Sequence, residues 1–222
     1  MNGLFDRILA RRRHITNRAW WGVVMAVLVL GGCESSHDED PGAYEITVYY
    51  TAVESFHGGN VETVRGHLSR DSEPDNDVLG TYPASFIATA QSGGTGRITS
   101  GPHAGQYLNW SYDMGYWLDT VPANAYGGAL VPFQTAAADL DVLSRGVRFR
   151  LVAPLIKDDG TPLDTASATR FLSAEWNVQD QFTPGAGGPR HLDLYIGEED
   201  RPDFTSSSPL YITLENVKIE IR

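Results

Sequence analysis

The sequence predicts a mainly β domain, either a small barrel or a sandwich, on three observations. Short segments rich in β-branched and aromatic residues recur along the chain, and clusters of glycine, proline and aspartate separate them. Helical signals are few, and no internal repeat divides the chain. With 222 residues, 41% of them hydrophobic and 20% charged, the chain suits one globular domain.

The N-terminal segment is expected to direct export. Five arginines precede an apolar run over 19–30, which is shorter than the roughly 20 residues of a membrane-spanning helix. Gly31 and Gly32 then stand directly before Cys33, a pattern that resembles the bacterial lipobox. The resemblance implies a lipoprotein signal peptide over 1–32 and a lipid on Cys33. A plain membrane anchor with an incidental cysteine is the alternative.

An acidic segment follows the cysteine. Residues 33–43 carry almost no apolar side chain, so they are expected to be a flexible tether between the lipid and a domain over 44–222. The formal net charge of the chain is −11, and removal of 1–32, which carries +4, leaves −15. Nucleic acid is therefore not an expected partner, and the membrane is expected to be contacted through the lipid anchor only. Because Glu34 and not aspartate follows the cysteine, the resemblance implies the outer membrane in a host with two membranes, and otherwise the outer face of the plasma membrane.

The predicted elements follow from alternation and from turn residues. The first strand combines β-branched and aromatic residues with near alternation and is followed by Gly58 and Gly59. A helix over 83–91 begins with Pro83 at a first-turn position and stops before Gly93. A second helical turn is expected over 136–143. The expected strands are 44–53, 106–112, 146–152, 171–179, 191–196 and 210–221.

Several kinds of chemistry are excluded by their missing motifs. A single cysteine leaves no internal disulfide, no cysteine-rich zinc module and no CxxC pair. The chain has no GxSxG, no HExxH, no complete P-loop and no full dinucleotide fingerprint. The histidines at 57, 67, 103 and 191 lack the spacing of metal ligands, so no metal or other cofactor is expected.

Three segments of the second half each carry an aspartate in a distinctive setting. Asp139 stands in a small-residue turn before an apolar pair and a strand-opening glycine, Asp180 follows Trp176-Asn177-Val178-Gln179, and Asp193 lies in Arg190-His191-Leu192-Asp193-Leu194-Tyr195. These segments resemble the 3D (three-aspartate) domain family, which is related to the membrane-bound lytic transglycosylase A group. The resemblance implies a six-stranded double-psi β-barrel of the barwin and expansin type, with one or two short helices. It also implies a site built on these aspartates that cleaves peptidoglycan glycan. The loop after Asp180 departs from the family pattern because it keeps glycines but lacks the lysine.

The chemistry of glycan cleavage is consistent with Asp193 as a combined acid and base. Leu192, Leu194 and Ile196 alternate with Asp193 and Tyr195, so the two polar residues share one face of a strand. A carboxylic acid in a partly apolar setting keeps its proton near neutral pH. Asp180 is expected to orient Asp193 or to raise its pKa by like charge, and Asp139 to cap backbone N–H groups of a turn. The alternative is exposed carboxylates at the ends of strands.

Aromatic residues supply candidate sugar contacts. Trp110 and Tyr112 are two residues apart, so on a strand they point to the same face, and the amide of Asn109 is next to Trp110. They are the preferred platform on which a sugar ring would stack. Tyr195 and Trp176 are further candidates because they lie close to the aspartates in the sequence. The alternative is that these side chains fill the core of a small barrel.

The predicted function is a lipid-anchored, monomeric, extracytoplasmic protein that binds and cleaves peptidoglycan or another envelope polysaccharide in the manner of a lytic transglycosylase. An expansin-like lipoprotein that binds polysaccharide without cleaving it is the first alternative. The second alternative is an interaction lipoprotein whose acidic surface contacts a protein partner.

Overall fold

The computed structural model describes residues 42–73 and 76–222. The expected signal peptide at 1–32, the lipidated Cys33 and nearly all of the tether at 33–43 lie outside the described residues. Within the described residues, no helix combines the length and the apolar character that a membrane crossing requires.

Twelve strands, three short α-helices and a 3-10 helix at Glu54–Phe56 make up the described residues. The strands are β1 Tyr44–Val53, β2 Val61–His67, β3 Asp77–Pro83, β4 Thr95–Arg97, β5 Tyr107–Ser111, β6 Gly115–Asp119, β7 Thr135–Ala138, β8 Arg148–Val152, β9 Ile156–Lys157, β10 Trp176–Asp180, β11 His191–Glu198 and β12 Leu214–Ile221. The helices are α1 Ala84–Gly93, α2 Thr165–Ser173 and α3 Phe204–Ser207.

Six of the strands close into a barrel in the order β1-β11-β7-β10-β8-β12, and β12 pairs back with β1. The pairs β1 with β11 and β7 with β10 are parallel, and the other four pairs are antiparallel. The prediction of a mainly β chain with a six-stranded double-psi barrel and few short helices is confirmed.

Alternation along the strands fills the barrel. Along most of these strands every second side chain points inward, so the apolar set is buried in the barrel and the intervening set faces outward. The buried side chains come from all six strands and include Ile46, Val48, Ala136, Phe149, Leu151, Trp176, Val178, Leu192, Leu194, Leu214 and Val217. The outward-facing residues of β1, β7, β10 and β11 are consequently available to build a site.

A second sheet continues from the end of β1, in the order β3-β2-β6-β5-β4-β1. Ala52 and Val53 of β1 pair with Gly96 and Arg97 of β4, so one strand belongs to both the barrel and this sheet. Helix α1 packs on the sheet through Phe86, against a core formed by Ala52, Val64, Leu79, Tyr82, Ile98, Leu108 and Leu118.

Most of the predicted elements are confirmed. The strands at 44–53, 106–112, 146–152, 191–196 and 210–221 correspond to β1, β5, β8, β11 and β12, and the helix at 83–91 corresponds to α1. Short strands at 61–67, 77–83, 95–97 and 115–119 complete the second sheet, and the sequence analysis did not predict them.

Two predicted elements are wrong. The helical turn over 136–143 is strand at its start, because Ala136 pairs with Leu194 on one side and with Val178 on the other. The strand over 171–179 begins only at Trp176, because 165–173 is helix α2. The Asp164 side chain caps α2 by accepting a hydrogen bond from the backbone N–H of Ser167 at 3.0 Å.

Candidate functional site

The outer wall of the barrel brings two of the three predicted aspartates into one row. Asp193 on β11 is in register with Thr47 on β1 and with Ala137 on β7, and Asp180 on β10 is in register with Ala137. Asp193 and Asp180 are therefore two strands apart on the same face, about 10 Å between Cα atoms at ordinary strand spacing. Ala137 lies between them and packs with Tyr49 and Tyr195.

Asp193 is a partly buried carboxylic acid with a raised pKa. Its Oδ1 accepts a hydrogen bond from the Thr47 hydroxyl at 2.9 Å. Burial raises the pKa of Asp193 to about 6; the charge of His191 and the Thr47 hydrogen bond oppose this rise, and the negative charge of Asp180 adds to it. A carboxyl group with this pKa is partly protonated near neutral pH, as a general acid must be.

Asp180 is buried and its oxygens are occupied by the protein. Oδ2 accepts a hydrogen bond from the Tyr49 hydroxyl at 3.0 Å, and Oδ1 accepts the backbone N–H groups of Ala125 and Gln181, both at 2.9 Å. Burial raises the pKa of Asp180, and these three hydrogen bonds oppose the rise. A carboxylate held in this way suits positioning and electrostatic influence better than proton transfer to a ligand.

Asp139 lies at the end of β7, outside the row. Its Oδ2 accepts a hydrogen bond from the backbone N–H of Gly188 at 3.0 Å, so it holds the glycine-rich loop between β10 and β11. The expected cap is corrected: the backbone carbonyl of Asp139, and not its side chain, accepts the N–H groups of Val142 and Leu143. A Cβ at Gly187 would stand 2.6 Å from Asp139 Oδ2, which explains the absence of a side chain there.

Two of the candidate sugar contacts are buried. Trp176 has no exposed surface and packs against Phe171 and Phe133. Tyr195 is 1% exposed, and its hydroxyl lies 2.6 Å from Thr51 Oγ1. Trp176 belongs to the barrel core, whereas Tyr195 packs with Tyr49, Leu130 and Ala137 on the outer face. The prediction that these two residues contact substrate is corrected, because both side chains are covered by the protein.

Asn109 is also a structural residue. It is completely buried on β5, its amide donates to the carbonyl of Val121 at 3.1 Å, and its Oδ1 accepts the N–H of Ala123 at 3.0 Å. Its predicted contact with substrate is corrected, because both polar atoms of the side chain hold the segment that follows β6.

Trp110 and Tyr112 lie away from the aspartate row. Register places Leu108 beside Gly96 and Gly96 beside Ala52, so Trp110, two residues after Leu108, is on the α1 side of the second sheet. Tyr112 is 68% exposed and follows the end of β5. The structure does not bring this pair together with Asp193, and its role in binding stays a prediction.

A group of polar residues that the sequence did not predict extends the row. Thr47, Tyr49 and Thr51 all point to the aspartate face of β1, and their alternation with Ile46 and Val48 is the signal that could have found them. His191, whose position lacks the spacing of a metal ligand, makes a hydrogen bond within this group: its Nε2 lies 2.7 Å from Thr47 Oγ1.

A second polar group lies where β1 enters the second sheet. Glu198 accepts hydrogen bonds from Arg97 Nε and from the Tyr107 hydroxyl, both at 2.8 Å. Three residues of β1, 49–51, are matched by four of β11, 195–198, and Gly197 in this bulge has a φ of +101°. The bulge places Glu198 in register with Thr51, so the polar face continues onto the second sheet.

A cavity of about 300 Å³ lies beside Asp180, along the preceding residues of β10. Its lining is mainly polar and consists of Asn124, Gly128, Ala129, Arg145, Gly146, Asn177 and Gln179. The Arg145 guanidinium lies over the ring of Tyr126, 4.1 Å from the centroid.

Across 42–73 and 76–222, no group of three or more histidine, cysteine, aspartate or glutamate residues is arranged to hold a metal ion.

These features define a double-psi barrel with two unequal carboxyl groups on its outer wall. No family model and no curated protein sequence matches the chain. The fold is similar to that of the lytic transglycosylase MltA of Escherichia coli, crystallised with bound chitohexaose, with a TM-score of 0.51 and 15% identity over 82% of this chain and 72% of that chain. A membrane-bound lytic murein transglycosylase from Agrobacterium tumefaciens is similar at a TM-score of 0.49 and 11% identity, over 80% of this chain and 73% of that chain. At this level of identity the likeness concerns the fold alone.

Proposed function

We propose that this protein binds and cleaves peptidoglycan glycan, with Asp193 as general acid and then general base. The main observation in support of this proposal is the placement of Asp193, which is partly buried on the outer wall of the barrel and has its pKa raised to about 6. The fold supports the proposal, since the similar MltA structure contains chitohexaose, a bound glycan.

The proposed reaction needs one carboxyl group. Protonated Asp193 gives its proton to the glycosidic oxygen, the bond from that oxygen to the anomeric carbon breaks, and an oxocarbenium-like centre forms. The Asp193 carboxylate then removes the proton of the 6-hydroxyl of the same sugar, whose oxygen bonds to the anomeric carbon and closes an anhydro ring. The proton returns to Asp193, so the acid is regenerated without water or a cofactor.

Asp180 supports this chemistry as a positioning residue. Its negative charge raises the pKa of Asp193, and its hydrogen bonds to Tyr49, Ala125 and Gln181 connect β1, the segment after β6 and the start of the 181–190 loop. Loss of Asp180 is therefore expected to disturb the site and the proton affinity of Asp193 together.

The decisive experiment is incubation of the protein with purified peptidoglycan and mass spectrometry of the released fragments. We expect anhydro-muropeptides from the natural protein and a rate lower by roughly 10²–10⁴ from Asp193→Asn, which keeps the shape of the side chain but cannot transfer the proton. Binding of peptidoglycan, measured by pelleting, should survive this substitution. Equal rates for the two proteins would disprove the role of Asp193.

The same experiment separates cleavage from binding alone. The polar face of β1, β11 and the second sheet suits a polysaccharide whether or not a bond is cleaved, and this favours the expansin-like alternative as the second candidate. Natural protein that pellets with peptidoglycan and releases no fragment would establish that alternative. Protein that neither pellets nor cleaves would favour a partner of another class.

The proposed place of action is the cell envelope. It rests on the resemblance of the segment ending at Cys33 to a lipobox, which implies a lipid anchor. The anchor and the monomeric state stay predictions.

A further inference from the structure

Three hydrogen bonds in series connect Asp193 to the backbone of the loop that precedes β11. Asp193 Oδ1 lies 2.9 Å from Thr47 Oγ1, Thr47 Oγ1 lies 2.7 Å from His191 Nε2, and His191 Nδ1 lies 3.0 Å from the carbonyl oxygen of Gly187. The ring of Phe182 covers the imidazole, with centroids 4.8 Å apart. His191 and Asp193 are two residues apart on β11 and point to the same face.

The series requires a fixed number of hydrogens. Each of the three links needs one hydrogen; the Thr47 hydroxyl supplies one, and a neutral His191 ring supplies a second. The Gly187 carbonyl and an ionised Asp193 supply none, because both are acceptors only. The third hydrogen is therefore an additional proton, present either as the acid proton of Asp193 or as the second N–H of an imidazolium. Without it, two lone pairs face each other at one partly buried link, which is unfavourable.

We propose that Asp193, Thr47 and His191 form one proton-holding unit, in which His191 is a positioning residue that keeps a proton available to Asp193 through the Thr47 hydroxyl. This inference rests on the proposed role of Asp193 as acid and base. Transfer within the unit is balanced: imidazolium Nε2 gives its proton to Thr47 Oγ1, and Thr47 gives its own hydroxyl proton to Asp193 Oδ1. A carboxylate and an imidazolium thereby become a carboxylic acid and a neutral imidazole.

The unit acts in both halves of the proposed reaction. At rest its three links are complete, so the proton needed by the glycosidic oxygen is retained at the site. After Asp193 has given up that proton, one link lacks a hydrogen. Recovery of a proton from the 6-hydroxyl of the sugar restores the link, so the unit favours the base step as well as the acid step.

Other charged and titratable groups face the unit from the neighbouring elements. The negative charge of Asp180 raises the pKa of Asp193, and the test compares variants in which all of these groups are unchanged. These groups are Tyr49 and Glu45 on β1, Asp180 on β10, Asp139 below the loop, and Arg190 before His191.

The test is the titration of the Asp193 carboxyl group, followed by carboxyl-carbon NMR on the purified full chain without substrate and assigned with Asp193→Asn. In His191→Gln, the glutamine amide donates an N–H to Thr47 without an additional proton. The hydrogen bonds of Thr47 with residue 191 and with Asp193 are then both complete while Asp193 is ionised. We expect the pKa of Asp193 to fall by about 1 unit. If His191 acted through its positive charge alone, its removal would raise that pKa.

Matched substitutions at Thr47 isolate the hydroxyl. Thr47→Ser keeps it, and in that background His191→Gln should again lower the pKa of Asp193. Thr47→Val keeps the volume without the hydroxyl, and there the lowering should vanish. An unchanged or raised pKa in His191→Gln, with Thr47 present, overturns the proposal.

Activity provides a separate readout. If the protein cleaves peptidoglycan, the high-pH limb of the rate profile should move to lower pH in His191→Gln by the shift that NMR measures. A protein that titrates as expected but releases no fragments would disprove the proposed function and leave the proton-holding unit established.

Discussion

Asp193 and Asp180 carry the same functional group, but their surroundings give them different chemistry. Asp180 accepts three hydrogen bonds that occupy both of its oxygens, whereas the Thr47 hydroxyl donates to Oδ1 of Asp193, which is the less buried of the two. Burial raises the pKa of both groups. Asp193 combines a raised pKa with greater exposure than Asp180, which is why the acid role is proposed for it.

Substitution Asp180→Asn tests the influence of one carboxylate on the other. Removal of the negative charge should lower the pKa of Asp193, so the high-pH limb of the rate profile, where the acid loses its proton, should move to lower pH. The rate should fall less than in Asp193→Asn, because the amide oxygen still accepts the backbone N–H groups. Measurement of cleavage rate against pH checks both; an unmoved limb would remove Asp180 from the mechanism.

The proton affinity of Asp193 also has a consequence for stability. Because its pKa is raised from an unfolded value near 4 to about 6 in the folded state, the folded protein binds the proton more tightly, and the resulting stabilisation is present at low pH and lost as pH rises from about 4 to above 6. Asp193→Asn should therefore raise the free energy of unfolding at pH 8 by about 1–3 kcal/mol and change it little at pH 4. Urea unfolding at the two pH values measures this difference, and a variant less stable at pH 8 would contradict it.

At the residue scale, the sequence predicts which way a side chain points along its own strand, but not which residues of distant strands it contacts. Asp193 and its outward direction followed from alternation with Leu192 and Leu194. The partners Thr47 and His191 did not, because their role depends on pairing between β1 and β11, which are separated by about 140 residues. The burial of Trp176 and Tyr195 depends in the same way on which strands are neighbours.

At the scale of elements, the packing of α1 on β4 depends on one glycine. A Cβ at Gly96 would lie 2.7 Å from the Phe86 ring and 2.9 Å from Ala90 Cβ, closer than carbon atoms can approach. We expect Gly96→Ala to reduce the free energy of unfolding by about 1–3 kcal/mol through overpacking. Thermal or urea unfolding measures the loss.

Gly58→Ala is the matched control for this substitution. A Cβ at Gly58 meets no atom within 4 Å, so the change in stability should stay within about 0.5 kcal/mol. Equal losses in the two variants would show that the contact of α1 with β4 is not the cause.

The elements that the sequence predicted correctly are those with strong local patterns. β1, β11 and α1 have clear alternation or clear end signals. The three alanines of 136–138 have high helical propensity, but with Thr135 they form β7 because β10 and β11 provide hydrogen-bonding partners on both sides. The short strands of the second sheet carry too few residues for a periodic pattern to be visible.

At the scale of the whole molecule, the N-terminal cysteine is expected to determine where the domain acts. Cys33→Ala should release the protein from membranes or leave an uncut precursor, because the thiol is the predicted site of lipid attachment. Fractionation of cells followed by intact-mass measurement checks the outcome, with Ser35→Ala as a control two residues away. A mature-sized, membrane-bound Cys33→Ala protein would contradict the prediction.

The pairing of β1 also constrains how the chain acquires its structure. β1 is the first strand of the domain, yet its barrel partners are β11 and β12, the last two. A nascent chain that ends before residue 191 has no means of closing the barrel, so the polar wall forms only after almost the whole domain has been synthesised. Such long-range closure makes folding slow and keeps the chain open for longer. A slowly folding chain is a suitable substrate for a secretion channel that accepts unfolded polypeptide, so the topology is compatible with the proposed export of this protein.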